Sequence, residues 1–312
     1  MNDGGIGMDK IQQQLLEQVA GIHEVPEGAY SLRINGNLYG KNSSEHIDIV
    51  KKEDKPGIDI YIKAGTKNES VHIPVILSQT GLRELVYNDF HIGEDCDVTI
   101  VAGCGIHNGG SETSEHSGVH SFYVAKNAKV KYIEKHYGQG DGNGKNIMNP
   151  QTHVELSEGA KMEMETAQIK GVDSTKRITT AVVMKNATLT VREKLMTHGE
   201  QYAETEFEVD LCGDGSGTHI ISRSVAKDSS KQKFISRIKG NSKCNGHTEC
   251  DAIIMDDATV AAIPEILAVH PEASLIHEAA IGKIAGEQLV KLMTLGLTEK
   301  EAEEEIVNGF LR

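Results

Sequence analysis

The sequence predicts a mainly β chain: a right-handed parallel β-helix with a short N-terminal helix and a C-terminal helical pair. The first observation behind this is a turn-plus-strand pattern that recurs about every 30 residues. Asp95-Cys96-Asp97-Val98-Thr99-Ile100 is echoed by Asn127-Ala128-Lys129-Val130-Lys131-Tyr132, then by Gly159-Ala160-Lys161-Met162-Glu163-Met164 and Asn186-Ala187-Thr188-Leu189-Thr190-Val191. Gly215-Ser216-Gly217-Thr218-His219-Ile220 is a weaker copy. Self-similarity at this period marks a solenoid, in which no repeat buries its apolar face alone. The second observation is that no helical stretch separates the copies, which excludes leucine-rich and ankyrin-type units. The third is compositional: 38% hydrophobic but only 4% aromatic residues, with 32 Gly and no Trp, suit stacked short strands.

The elements follow in order. Residues 1–7 are Gly-rich and expected to be disordered. From Asp9, the residues Ile11, Leu15, Leu16 and Val19 recur at helical spacing, and Gly21 stops the helix. This helix is expected to pack on its own body. From about Tyr30 the period becomes two, in HIDIVKK, GIDIYIKA and VHIPVIL, separated by Gly-, Asn- and Lys-rich turns. Asp256-Asp257-Ala258-Thr259-Val260 adds a last turn to the repeats. After Ile281 the helical period returns: Leu289, Leu292 and Met293 share one side, Gly296 is a stop, and Thr298-Glu299-Lys300-Glu301 forms a capping box. The expected divisions are 1–29 for the start and first helix, 30–280 for the β-helix, and 281–312 for the helical pair. One role open to that pair is to cap the end of the solenoid.

A formal net charge of −14 excludes a nucleic-acid partner, whose phosphates need a basic footprint, and disfavours an anionic membrane surface. No apolar run is long enough to span a bilayer. MNDGGIGMDKIQQQLLEQ lacks the basic start and apolar core of an export signal, and the five cysteines are odd in number. Reduced thiols and a cytoplasmic location are expected. A carbohydrate-active β-helix enzyme fits poorly, because it needs an aromatic groove and is usually exported.

The chemistry concentrates near the C-terminus. Strand alternation puts Cys250 and Ala252 on one face, and a lone Cys of this kind is ordinarily a small buried hydrophobe. His277 and Glu278 are adjacent, so an extended strand points them to opposite faces. One chain therefore does not easily aim both at one metal, whereas two chains meeting edge to edge offer a thiolate plus imidazole or carboxylate to a shared site. Cys244, His247 and Cys250 form C-x2-H-x2-C, a zinc knuckle only if the segment curls; a strand splays it. His107, His116, His120, His136 and His153 cluster in sequence and read as polar loop residues. Cys96 and Cys212 fall at repeat turns and read as packing residues. The run from Gly138 to Lys145 lacks the spacing of a phosphate loop and leads into no helix, so it reads as solvent loop. With no nucleotide engine visible, any ATP-driven step must come from a partner.

HPEASLIHEAAIGKI followed by EQLVKLMTLGLTEKEAEEEIVNGF, with TECDAIIM upstream, resembles the C-terminal signature of the SufB/SufD family, the scaffold subunits of SUF iron–sulfur cluster assembly. The likeness covers roughly residues 70–312. It implies a β-helix core and a transient iron–sulfur cluster, of the four-iron, four-sulfur type, at the interface of two β-helices. There Cys and Glu come from SufB, and a His at the HEA position comes from SufD. This chain carries Cys250, His277 and Glu278 together, so the resemblance implies a homodimer that supplies every ligand through the C-terminal end of its β-helix. Thiolate suits such clusters, and carboxylate and imidazole are exchangeable ligands fit for a cluster that is handed on.

Cys104, in a Gly-Cys context ahead of Val119-His120-Ser121, is similar to the family's second cysteine. That cysteine receives sulfur from a donor protein and passes it through the β-helix interior. Gly105-Ile106-His107 departs from the small polar and proline residues more usual after it. Persulfide transfer calls for thiols that ionise readily and are shielded from solvent. The resemblance further implies a SufC-like ATPase docked on Ile284, Leu289, Leu292, Met293, Ile306 and Phe310. The alternative is a SufD-like structural subunit with inert cysteines, since the Cys-rich N-terminal motif of some SufB proteins is not apparent here. No residue pattern supports a flavin site.

Overall fold

The computed structural model describes residues 7–312, so the disorder expected at the start falls, for residues 1–6, outside the described residues. Helix α1 (Lys10–Ala20) begins at a reciprocal cap. Asp9 Oδ1 accepts from the Gln12 amide at 2.8 Å, and Gln12 Oε1 accepts from the Asp9 amide at 3.1 Å. It ends where Gly21 turns left-handed at φ 68°.

The first strands are β1 (Ala29–Ile34), β2 (Asn37–Asn42), β3 (Ile47–Lys51), β4 (Gly57–Ile62), β5 (Lys67–Leu77), β6 (Arg83–Ile92) and β7 (Asp97–His107). There follow β8 (Ser114–Val124), β9 (Lys129–Gln139), β10 (Asn146–Met148), β11 (Gln151–Leu156), β12 (Lys161–Lys170), β13 (Ser174–Val183) and β14 (Thr188–Thr197). The last are β15 (Tyr202–Leu211), β16 (Gly217–Ala226), β17 (Lys231–Gly240), β18 (Asn245–Ile254), β19 (Thr259–Ala268) and β20 (Ser274–Gly282).

Alternate strands go to opposite walls. One sheet runs β2-β1-β5-β7-β9-β12-β14-β16-β18-β20, and the other runs β19-β17-β15-β13-β10-β8-β6-β4-β3. The result is a β-solenoid of about 8 turns with parallel strands. Pro150, which has no amide to donate, separates β10 from β11 within one rung. The corners explain the sequence repeat. Asp95, Asn127 and Asn186 take left-handed φ of 56°, 58° and 55°, and the residue after each (Cys96, Ala128, Ala187) is fully buried. Asp256 also turns left-handed, but at the opposite corner, so the last expected copy opens β19 in the second sheet.

The two ends of the solenoid differ. At the N-terminal end β1–β2 and β3–β4 pair antiparallel, which blunts both sheets. At the C-terminal end β19 and β20 are outermost and have no further strand among the described residues. Ile263, Ile266, Leu267, Val269, Ile276 and Ile281 stay exposed there.

The helical pair, α2 (Gly286–Thr294) and α3 (Glu299–Phe310), does not cap this end. It lies on the flank, where Val307, Phe310, Leu311 and Ile284 pack with Val225, Met255 and Met196, and Lys194 Nζ donates to the Arg312 carbonyl at 2.8 Å. The capping box at Thr298 forms as expected.

Helix α1 covers the outside of the first sheet through Leu15, Leu16 and Val19, packed with Leu32, Ile34 and Ile76. It comes this close because Gly103 and Gly105 carry no side chain: a Cβ on Gly103 would lie 2.7 Å from the Lys135 carbonyl oxygen and 3.0 Å from Val19 Cβ. Gly103→Ala is therefore expected to cost about 1–3 kcal/mol by overpacking. The check is a lowered urea midpoint at unchanged slope; an unaltered midpoint would show that the helix seat tolerates a methyl group.

Candidate functional site

Strand register decides which side chains meet. In β7, β9, β12, β14, β16 and β18 the same-face residues at one level are Ala102, Glu134, Thr166, Glu193, Ser222 and Cys250. The next level holds Cys104, His136, Gln168, Leu195, Ser224 and Ala252. Both levels face the interior. Cys104 and Cys250 thus sit on neighbouring interior rows, five strand spacings apart, which is about 24 Å at about 4.8 Å per spacing. Each is 1% exposed.

Polar groups fill the space between them. Asn88 Nδ2 is 3.3 Å from His120 Nε2, and His120 Nδ1 is 2.8 Å from the Tyr132 hydroxyl, which donates to Glu134 Oε1 at 3.1 Å. Arg177, from the opposite wall, donates to Glu134 Oε2, contacts His136 Nδ1 at 3.3 Å, and lies 3.8 Å from Glu193 Oε1. Ser222 and Thr205 donate to Glu193 at 2.8 and 3.0 Å. Ser222 is the register partner of Cys250, and His136 is that of Cys104. The column borders the apolar cluster around Ile100, Phe122 and Phe207, and at its Cys104 end meets a second around Val75, Ile106 and Met148. Two small voids of about 10 Å³ punctuate it, one lined by Cys104, His120, Glu134 and His136, the other by Arg177, Glu193 and Thr205. Each has the space of a single water.

Burial and charge set the protonation states. Burial alone would raise Glu134, but the Arg177 guanidinium and then His136 outweigh it and hold the carboxyl well below its ordinary value. Burial raises Glu193, with Arg177, Ser222 and Thr205 offsetting only part. Burial lowers His136 and pushes His120 down to about 4. The shielding expected of the two thiols is present, but easy ionisation is not. Burial, then Glu84 and Glu134, raise Cys104 well above its ordinary value. Burial, then Glu193 and Asp251, push Cys250 up to about 12.

The expected residues divide as strand geometry requires. His277 pairs with Thr248 and Cys250 with Ala279, so His277 and Cys250 share the inner face of neighbouring strands. Glu278 faces out and contacts His247 Nε2 at 3.1 Å. Cys244 and Cys250 are buried while His247 turns outward, so C-x2-H-x2-C forms no knuckle. Among the docking residues, Ile284 and Phe310 pack on the body, Leu289, Leu292 and Ile306 are half-buried, and Met293 is exposed beside Val290 and Leu295. Cys96 packs in a corner as expected, whereas Cys212 is exposed.

The histidines correct the loop expectation: all five lie in strands, and His116, His120 and His136 are buried in the interior. Spacing held the clue. His116-x-Gly118-x-His120 and Tyr132-x-Glu134-x-His136 each put polar residues on one face at the strand period of two. Gly138 and Gln139 of the Gly-rich run still belong to β9, and the tight loop begins at Gly140, with Gly142 and Gly144 amides donating to Asn108 and Gly110 carbonyls at 3.2 and 2.9 Å.

The column also sets an acid limit. In the unfolded chain a histidine takes its proton near pH 6.5, while folded His120 refuses it until about 4, so stability falls as pH drops through that window. The shift corresponds to about 3 kcal/mol. Urea unfolding at pH 7 and pH 4.5 should show the loss, and His120→Gln should remove much of it; an unchanged pH dependence in the variant would contradict the assignment.

Comparison with known proteins adds a family match and three relatives. The model for "SUF system FeS cluster assembly, SufBD core domain" matches residues 85–310. An iron–sulfur cluster assembly SufBD family protein of Archaeoglobus fulgidus is 30% identical over 278 residues, 87% of this chain and 72% of its own. One of Methanocaldococcus jannaschii is 29% identical, covering 84% and 83%, and the SufB protein of Bacillus subtilis is 36% identical over 107 residues, covering 33% and 23%.

Proposed function

The chain belongs to the SufBD family of iron–sulfur cluster assembly proteins, and from that premise we propose that it is the scaffold on which a cluster is built at the open end of its solenoid. The observation that carries this reading is the buried polar column linking Cys104 to Cys250, which stands beside the exposed end of the stack. In an apolar interior an anionic sulfur species would be stranded without partners. The imidazoles, hydroxyls and guanidinium of this column supply them.

Sulfur enters at the opposite end. A cleft of about 870 Å³, lined by Arg33, Lys41, Lys51 and Lys55 among others, shares Ile73, Val75 and Asn88 with the void beside Cys104. In this account a donor persulfide passes its outer sulfur to the Cys104 thiolate and leaves as the donor thiol. Inorganic hydrosulfide then takes that sulfur as hydrogen disulfide, which restores the Cys104 thiolate, and carries it along the column to the Cys250 thiol with release of hydrosulfide, since about 24 Å forbids direct contact between the two thiols. Cys250 and His277 hold the growing cluster from the inner face. Metal ligation displaces the thiol proton that burial otherwise retains. Glu278, once it lets go of His247 Nε2, reaches the shared site from an adjoining copy. Pairing of two copies through β19 and β20 covers the exposed Ile266, Leu267, Val269 and Ile276. A SufC-like ATPase docks on the exposed Val290, Met293 and Leu295 and supplies the driving step. The chain itself acts as template rather than enzyme. Five free cysteines suit the reducing cytoplasm, and no helix among the described residues is long and apolar enough to cross a membrane.

The SufD-like alternative, a structural subunit with inert cysteines, is favoured by one observation, the high pKa of Cys250. Anaerobic reconstitution with iron and sulfide separates the two. The scaffold reading predicts about one cluster per two chains by absorbance and Mössbauer spectroscopy, lost in Cys250→Ala. Met293→Glu with Leu295→Glu should keep the cluster but no longer co-elute with the ATPase. If the wild type holds no cluster, alone or with the ATPase, the structural-subunit reading takes over.

A further inference from the structure

On the solvent face of β16, β18 and β20, behind the strands that carry Cys250 and His277, four side chains converge. His219 and His247 are register partners, and their rings stack with centroids 4.9 Å apart and planes 4° from parallel. Glu249 Oε1 lies 2.9 Å from His219 Nε2 and 3.7 Å from His247 Nδ1. The other nitrogen of His247, Nε2, is 3.1 Å from Glu278 Oε2. One ligand atom from each of His219, His247 and Glu249 lies within 4.8 Å of the others.

We propose that this is a binding site for a divalent first-row transition cation, held by His219 Nε2, His247 Nδ1 and Glu249. Two imidazoles and one carboxylate with open positions form the donor set that iron(II) and its neighbours favour. Glu278 is not a ligand to this cation. It accepts the Nε2 proton of His247, which leaves Nδ1 as the lone-pair donor and fixes the ring, the arrangement in which a carboxylate backs a metal-bound histidine. Stability alone does not account for the cluster, because exposed ion pairs of this type contribute about 0–1 kcal/mol. The three ligand side chains are between 28% and 39% exposed, so a hydrated cation reaches them and keeps solvent in the remaining positions.

Glu249 and Cys250 are consecutive and point to opposite faces of the same strand. The cation is thereby held one sheet thickness from the inner-face thiol. That it is iron awaiting incorporation rests on the scaffold reading; that it binds does not.

The test titrates cobalt(II) into the full chain carrying Cys250→Ser, in which no cluster forms, and follows the visible spectrum and equilibrium dialysis. One cobalt per chain is expected, without thiolate-to-cobalt charge transfer. His219→Ala or His247→Ala should each weaken binding at least about tenfold, and Glu278→Gln by about tenfold through the lost ring support. His219→Gln serves should an alanine variant fold poorly. No binding, thiolate bands, or affinity within twofold of the parent in the histidine variants overturns the site. Cobalt binding retained where wild-type reconstitution fails would count against the scaffold and leave the metal site standing.

Discussion

Everything else in this molecule accommodates one buried interaction, Arg177 between Glu134 and Glu193. A solenoid core is normally apolar, and here most of it is: Ile100, Phe122, Phe207 and Leu211 fill the space between the sheets. Removing one partner of a buried charge set typically costs about 3–5 kcal/mol, whereas replacing a whole set by well-packed apolar groups is often neutral or stabilising. Stability therefore explains why the members depend on one another but not why the set exists. Its position explains more. The charges stand where register lines up the row of Cys250 beside the row of Cys104, and hydroxyls and imidazoles continue the polar path towards both thiols.

The ends of the stack give the column a direction. Antiparallel hairpins blunt the N-terminal end, beside which a cleft with lysines and Arg33 meets the void next to Cys104. The C-terminal end offers two strand edges with no further strand among the described residues, beside exposed Ile266, Leu267 and Val269, the kind of edge on which another strand can add. The helical pair leaves this end uncovered because Val307, Phe310 and Ile284 find their apolar partners on the flank, at Val225 and Met255. In the proposed scaffold, one end suits sulfur entry and the other assembly.

The sequence made the backbone legible and left much of the interior hidden. Small or Asn/Asp corner residues recur because each corner needs a left-handed residue followed by a buried one, and Asn127-Ala128 and Asn186-Ala187 announce that need directly. The separation of His277 from Glu278 followed from strand alternation and holds in the register. The buried column is hidden in the sequence because residue type alone sends His116, His120 and His136 to a loop, their usual home, and only their phase within the strands places them inside. Arg177 and Glu193 gave less signal still: their meeting depends on two sheets facing each other, which no local pattern encodes. Ile284 and Phe310 lie on an apolar helical face, and periodicity alone does not say whether such a face meets the chain's own flank or another protein.

The most direct test of the account follows sulfur itself. A persulfide donor labelled with sulfur-35 is given to the anaerobic protein, and alkylated peptides bearing Cys104 and Cys250 are separated over time. Label should appear first on the Cys104 peptide and then on the Cys250 peptide, and Cys104→Ala should leave Cys250 unlabelled. Equally fast labelling of Cys250 in that variant would show that sulfur reaches the open end without using the interior.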